Sequence, residues 1–174
     1  MKKLYFVRHG LSEMNIIGQW SGTTETPLTS EGRKQARLAG KKAKKLNIDY
    51  IISSPLSRAY DTARVIAKEI GYPIDQIHVN PLFIERHFGE LEGRHWSPDI
   101  DLDDIADIET ADSVIHRAKM ALDFLKTIEA ENILVISHGS FGRAIRHHLI
   151  KKYPYDSVST EETRITNAEI VCWI

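Results

Sequence analysis

The chain is poor in several things at once. It has one cysteine, Cys172, in 174 residues, which excludes an internal disulfide framework and fits a reducing, cytoplasmic compartment. Cys172 sits in the apolar stretch EIVCWI, where it reads as a small buried apolar residue. No apolar run approaches membrane-spanning length, and the run Leu4 to Val7 behind the charged start Met1-Lys2-Lys3 is too short for a signal-peptide core. No membrane partner is therefore expected. Low-complexity tracts, internal repeats and linkers are absent too, so residues 1–174 read as one domain, long enough to bury a core without metal or disulfide staples. The formal net charge of −1 gives no bulk field for nucleic acid, so an anionic ligand must be held by a local basic cluster.

What is present is a regular alternation. Leu4 to Val7, Tyr50 to Ser54 and Asn132 to Ser137 are nearly continuous apolar runs, as strands covered on both faces require. Between them the apolar residues recur at steps of three and four: Ala36, Ala39, Ala43 and Leu46; Leu56, Ala59, Ala63, Ile66 and Ile70; Val114, Ala118, Ala121, Leu125 and Ile128. A further helix is expected from about Phe141 to Ile150, a final strand at EIVCWI, and an additional strand within IHVNPLF. Thr29 or Ser30 caps the helix that begins in LTSEGRKQA. Strands alternating with helices define an α/β fold, a three-layer α/β/α sandwich with a mostly parallel central sheet. The irregular stretch Glu85 to Ala111 reads as a functional loop.

In such sheets ligands bind beyond the carboxyl ends of the strands, and reactive side chains follow each run. The first strand ends in Arg8-His9-Gly10 and the third in Ser137-His138-Gly139. The second leads into SSPLSRAYDTA, with Arg58 in the first turn of a helix that Pro55 can begin, and Glu85 follows the apolar residues near Leu82. Arginine presents a rigid fork matched to phosphate oxygens. Neutral imidazole attacks phosphorus, and a carboxyl group can protonate a departing alkoxide and then deprotonate water. These are the parts of a two-step phosphoryl transfer through a phosphohistidine, with the arginines supplying the positive charge, so that no metal or other cofactor is expected.

The blocks RHGLSEMN, GTTETPLTSEGRKQA, SSPLSRAYDTA, ERHFGELEG and ISHGSFGRAI, in this order, resemble the histidine phosphatase superfamily, in its phosphoglycerate-mutase-like branch. The resemblance implies that His9 is the nucleophile and Glu85 the proton donor. Arg8, Arg58 and His138 cradle the phosphoryl oxygens, His138 as a hydrogen-bonding cation in the transition state. Asn15 positions His9 or the phosphate, the Gly139 N–H adds a phosphate contact, and Gly22 and Thr23 line the substrate side. Glu90 and Glu92 are the competing carboxylates, and Arg86 and His87 are further substrate-contact candidates. His78, His95, His116, His147 and His148 lack a partner pattern and read as surface or packing residues. The acidic run Asp99 to Asp104 lacks the glycine and closing glutamate of a calcium loop and reads as solvated.

Three functions fit this resemblance. A phosphatase would hydrolyse a small phosphorylated metabolite. A phosphoglycerate mutase would return the phosphoryl group to a sugar acid, and a silent relative would only bind phospholigands. Mutases of the family carry a longer insertion after the ER-x-x-G block, whereas only a short run separates Gly93 from the helix near Val114, so hydrolysis is expected. Phosphohistidine-protein phosphatases are short as well but lack the Glu85 loop. Glu25 where the family has Asp, and TADSV before the third helix, bear on leaving-group choice. Natural substrate and oligomeric state are not legible, although EIVCWI could pair an edge strand with a partner.

Overall fold

A computed structural model of the chain describes residues 3–156 and 158–174. Met1 and Lys2 of the charged chain start lie outside the described residues, as does the side chain of Asp103 in the acidic run. Among the described residues five strands form one sheet: β1 Lys3–Arg8, β2 Tyr50–Ser53, β3 His78–Val79, β4 Asn132–Ser137 and β5 Ile170–Cys172, in the order β3-β2-β4-β1-β5. The pairs β1/β4, β2/β4 and β2/β3 are parallel, and β5 runs antiparallel to β1 at the edge.

The helices are α1 Glu13–Ile16, α2 Ser30–Ala43, α3 Ser57–Ile70, α4 Ala111–Lys126 and α5 Gly139–Leu149. Pleating sends alternate strand residues to opposite faces. Leu4, Phe6, Ile133 and Val135 pack with residues of α4 and α5, while Tyr5, Val7, Leu134 and Ile136 pack with residues of α2 and α3. The result is the three-layer α/β/α sandwich. A satellite cluster of Trp20, Phe88, Leu91, Leu102 and Ile108 underlies the irregular stretch, whose only regular pieces among the described residues are short 3-10 turns.

Local chemistry sets several boundaries. Thr29 is the cap of α2, its hydroxyl accepting the Gly32 N–H at 2.9 Å. Helix α3 begins later than Pro55 could start it, with Leu56 at the cap position and no side-chain cap of its own. Glu25 fills that role: its carboxylate accepts the Ser57 N–H at 3.0 Å and the Ser57 hydroxyl. The strand expected in IHVNPLF shrinks to two residues, because Pro81 has no N–H for a ladder and Asn80 caps a 3-10 turn instead. Helix α5 starts at Gly139, directly after β4.

Cys172 is exposed rather than buried. Val171 and Trp173 turn toward the α4/α5 face, Trp173 stacking on Phe6 with centroids 4.4 Å apart. That alternation leaves Cys172 on the opposite face, on the outermost strand.

Candidate active site

The parallel register of β1 and β4 sets Arg8 against Ser137, so the residues that follow, His9 and His138, leave the sheet side by side. The His9 N–H continues the ladder to the Ser137 carbonyl at 2.9 Å. The two imidazole rings meet edge to face with centroids 5.2 Å apart. Strand β2, on the other side of β4, leads to Ser54 and into α3, which carries Arg58.

His9 is buried, and its Nδ1 lies 2.7 Å from the Gly10 carbonyl oxygen. A carbonyl can only accept, so the ring proton resides on Nδ1 and Nε2 keeps its lone pair. That lone pair accepts from Arg58 Nε at 3.2 Å. Burial first, then the charges of Arg58 and Arg8, push the imidazole well below its usual pKa, the Gly10 bond opposing them. His9 Nε2 is therefore unprotonated at neutral pH.

Gly10 is required by a close approach. A Cβ there would stand 2.4 Å from the Gly32 carbonyl oxygen at the start of α2. Its N–H donates to Thr62 Oγ1 at 3.0 Å, and the Thr62 hydroxyl donates in turn to the Arg58 carbonyl at 2.7 Å.

Of the two expected arginines, Arg58 is buried and Arg8 partly buried. Arg8 donates from Nη1 to the Ile165 carbonyl at 3.0 Å, and its Nε has no partner among the described residues. Burial, opposed by Glu85, lowers its pKa to about 10. Arg58 donates from Nη1 to the Thr24 carbonyl at 2.9 Å and from Nη2 to that of Gly22 at 2.6 Å.

Glu85 lies against the start of α5. Its Oε1 accepts the Phe141 N–H at 2.8 Å and its Oε2 the Ser140 N–H at 3.1 Å, while Oε1 also accepts the Arg86 N–H at 2.9 Å. A carboxylate at a helix N-terminus meets unsatisfied N–H groups and the positive end of the dipole. The competing carboxylates lie elsewhere. Glu90 pairs with Arg94 in solvent, and Glu92 is taken up by the 22–24 loop.

A cavity of about 400 Å³ opens at this edge of the sheet, with Arg8, His9, Asn15, Gly22, Arg58, Glu85 and Gly139 among its walls. Asn15 Oδ1 accepts from Ser12 N–H at 3.3 Å and Asn167 Nδ2 at 3.5 Å, and Asn167 Nδ2 also donates to the His9 carbonyl at 2.8 Å. Two expected residues stand back from the cavity. His138 is fully buried behind His9, its Nε2 2.7 Å from Ser54 Oγ. Thr23 turns its hydroxyl to Glu92 and His87. Arg86 is fully buried, donating to the Glu109 carbonyl at 2.7 Å, and neither it nor His87 lines the cavity.

The cationic role expected of His138 belongs to the transition state. Burial, then the charges of Arg58, His9 and Arg8, hold its pKa well below the usual value. It is neutral in this arrangement. A phosphoryl dianion between Arg8 and Arg58 would offset the two arginine charges that lower the His138 pKa.

Among the wall residues that carry no sequence-based expectation are Arg143, Arg164 and Asn167. Arg143, inside the block ISHGSFGRAI, is buried and donates from Nε to the Asp156 carbonyl at 3.2 Å. Arg164 is exposed, and its charge reaches Arg8. Arg164 and Asn167 precede β5, and because β5 is antiparallel, its beginning lies at the carboxyl edge of the other strands.

The profile of the histidine phosphatase superfamily (branch 1) matches residues 4–172. The chain belongs to that superfamily. Among curated proteins, one of Hydrogenobacter thermophilus provisionally named phosphoserine phosphatase 2 is 35% identical over 159 residues, covering 83% of this chain and 77% of its own. One from an Enterobacter species, provisionally named phosphoglycerate mutase, is 34% identical over 154 residues, covering 80% and 70%. Among solved structures, a histidine-to-alanine variant of the Entamoeba histolytica phosphoserine phosphatase, in complex with phosphoserine, superposes with a TM-score of 0.80 at 28% identity, covering 100% of this chain and 91% of its own.

Proposed function

We propose that the protein is a phosphatase that hydrolyses a small phosphomonoester through a phosphohistidine on His9, without a metal ion. The observation that carries the reading is the tautomer of His9: Nδ1–H is committed to the Gly10 carbonyl, leaving Nε2 unprotonated, its lone pair met by Arg58 Nε on the wall of an open cavity.

The phosphoryl group seats between Arg8 and Arg58. His9 Nε2 attacks phosphorus, the N–P bond forms, the ester P–O bond breaks, and the departing alkoxide takes the proton of Glu85, which enters this step as the neutral acid. Water then gives a proton to the Glu85 carboxylate and attacks phosphorus, the N–P bond breaks, and inorganic phosphate leaves with the His9 lone pair restored. Arg58 Nε already points at the attacking nitrogen, His9 Nε2, so it can follow the charge as it moves onto the phosphoryl oxygens. Beyond the phosphoryl site, Arg143 and Arg164 favour a leaving group that itself carries an acid, and the relative named for phosphoserine supports that choice. The relative named for phosphoglycerate mutase supports a second reading, in which an acceptor hydroxyl replaces water.

Phosphate release from p-nitrophenyl phosphate, phosphoserine and 3-phosphoglycerate, measured with a chelator present, tests the proposal. Turnover should survive the chelator and disappear in His9→Ala. Loss of activity to the chelator would overturn the metal-independent route. Conversion of 3-phosphoglycerate to its 2-isomer without phosphate release would favour the mutase.

A further inference from the structure

Arg58 is oriented by main-chain carbonyls, those of Gly22 and Thr24. Carbonyls hold a guanidinium only as firmly as their loop is held. The Gly22–Thr24 loop is fixed from outside chiefly by Glu92, which lies 69 residues from Thr23 in sequence. Glu92 Oε1 accepts the Thr23 N–H at 2.9 Å and Oε2 the Thr24 N–H at 2.9 Å, and both threonine hydroxyls donate to the same carboxylate. Oε1 also accepts the Phe88 N–H at 3.0 Å, which ties the loop to the segment carrying Glu85.

Gly22 bears the mark of this contact. Its φ is +45°, and a Cβ would lie 2.1 Å from Glu92 Oε1, so only glycine lets the carboxylate approach. The Glu92 side chain is 11% exposed. Burial pushes its pKa upward, but the hydrogen bonds from Thr24, Thr23 and Phe88 outweigh that and hold it below the usual carboxylate value. His87 Nδ1 lies 3.1 Å from Oε1, in solvent at the loop's edge.

We propose that Glu92 is a positioning residue for the reaction: it holds the Gly22 and Thr24 carbonyls that aim Arg58 at His9 Nε2, and through them sets how well the cation meets the transferring phosphoryl group. The kinetic part of this inference rests on the phosphatase reading above. The structural part, the chain from Glu92 through Arg58 to His9, does not.

The Glu92→Gln substitution keeps the shape and places an amide NH2 against loop N–H donors. The first measurement is the NMR titration of the His9 imidazole in the whole protein. With Arg58 loosened, His9 should titrate at higher pH than in wild type, as it should in Arg58→Ala, with no further rise in the double variant. The second is kcat/KM on p-nitrophenyl phosphate. Glu92→Gln should lose about 10- to 100-fold, the range seen when partners that orient metal ligands are removed, and the loss should shrink in an Arg58→Ala background because the two act as one unit. Thr24→Val, which removes one hydroxyl bond and keeps the N–H, should give a smaller shift in the same direction and decides the matter if Glu92→Gln does not fold.

An unchanged His9 titration in the folded variants, with only the melting temperature lowered, would reduce Glu92 to a structural staple and overturn the proposal. So would fully additive kinetic losses. A wild-type protein that turns over no ester would sink the phosphatase reading alone, and the titration would still decide the role of Glu92.

Discussion

Acidification should destabilise this fold through two rings at its centre. His9 and His138 are both buried, and burial together with nearby arginines lowers both pKa values well below 6.5. In the unfolded chain a histidine protonates near its ordinary value of about 6.5. Between that pH and the lower folded pKa the unfolded state binds more protons, so stability is full above about pH 6.5 and falls as the pH drops through the window. Each ring contributes a slope of up to about 1.4 kcal/mol per pH unit. Both together give up to about 2.7 kcal/mol per unit, a large share of the roughly 5–15 kcal/mol that holds a domain folded. Ordinary carboxylates stay mostly ionised above about pH 5, so they add little in this range. Urea denaturation at pH 7.5, 6.5, 5.8 and 5.2 measures the slope, and His9→Gln or His138→Gln should each remove about half of it. A flat stability from pH 7.5 to 5.2, or a slope untouched in the double variant, would refute the assignment of both rings as neutral.

Two further substitutions test the packing and the mouth of the site. Gly10→Ala places a Cβ 2.4 Å from the Gly32 carbonyl oxygen, so the backbone beside His9 must shift. The expected cost is about 1–3 kcal/mol in urea unfolding, as for other overpacked sites, with kcat falling at least about tenfold, given that a shift near 1 Å costs about 100-fold. Arg164→Ala should raise KM for phosphoserine about fivefold, the ~1 kcal/mol of an exposed ion pair, while p-nitrophenyl phosphate, which has no acid on its leaving group, should change little. Equal effects on both esters would place Arg164 at the phosphoryl group instead.

Much of the site is legible because of one rule of topology. In parallel strands the residues after each apolar run share an edge, which is why Arg8-His9-Gly10, Ser137-His138-Gly139 and the start of SSPLSRAYDTA point to a single place. The same rule hides Arg164 and Asn167. They come before β5, and direction within the sheet, which no apolar run reveals, is what brings them to the edge. Cys172 escapes for a related reason, since an apolar stretch reads the same whether its strand is central or outermost. The neutral state of His138 depends on burial and on charges from separate elements, neither of which has a local signature. Glu92 is equally silent in sequence, one acid among several in a loop, until folding sets it beneath Thr23 and Thr24.

The central claim is that phosphoryl transfer passes through His9 Nε2, and rapid quenching tests it most directly. Protein mixed with 32P-labelled phosphoserine, or with a labelled p-nitrophenyl ester, and stopped in alkali within milliseconds should carry label that is stable to base and labile to acid, located on the peptide containing His9 and absent from His9→Ala. Turnover without any such labelled protein, or with undiminished label in His9→Ala, would contradict the account.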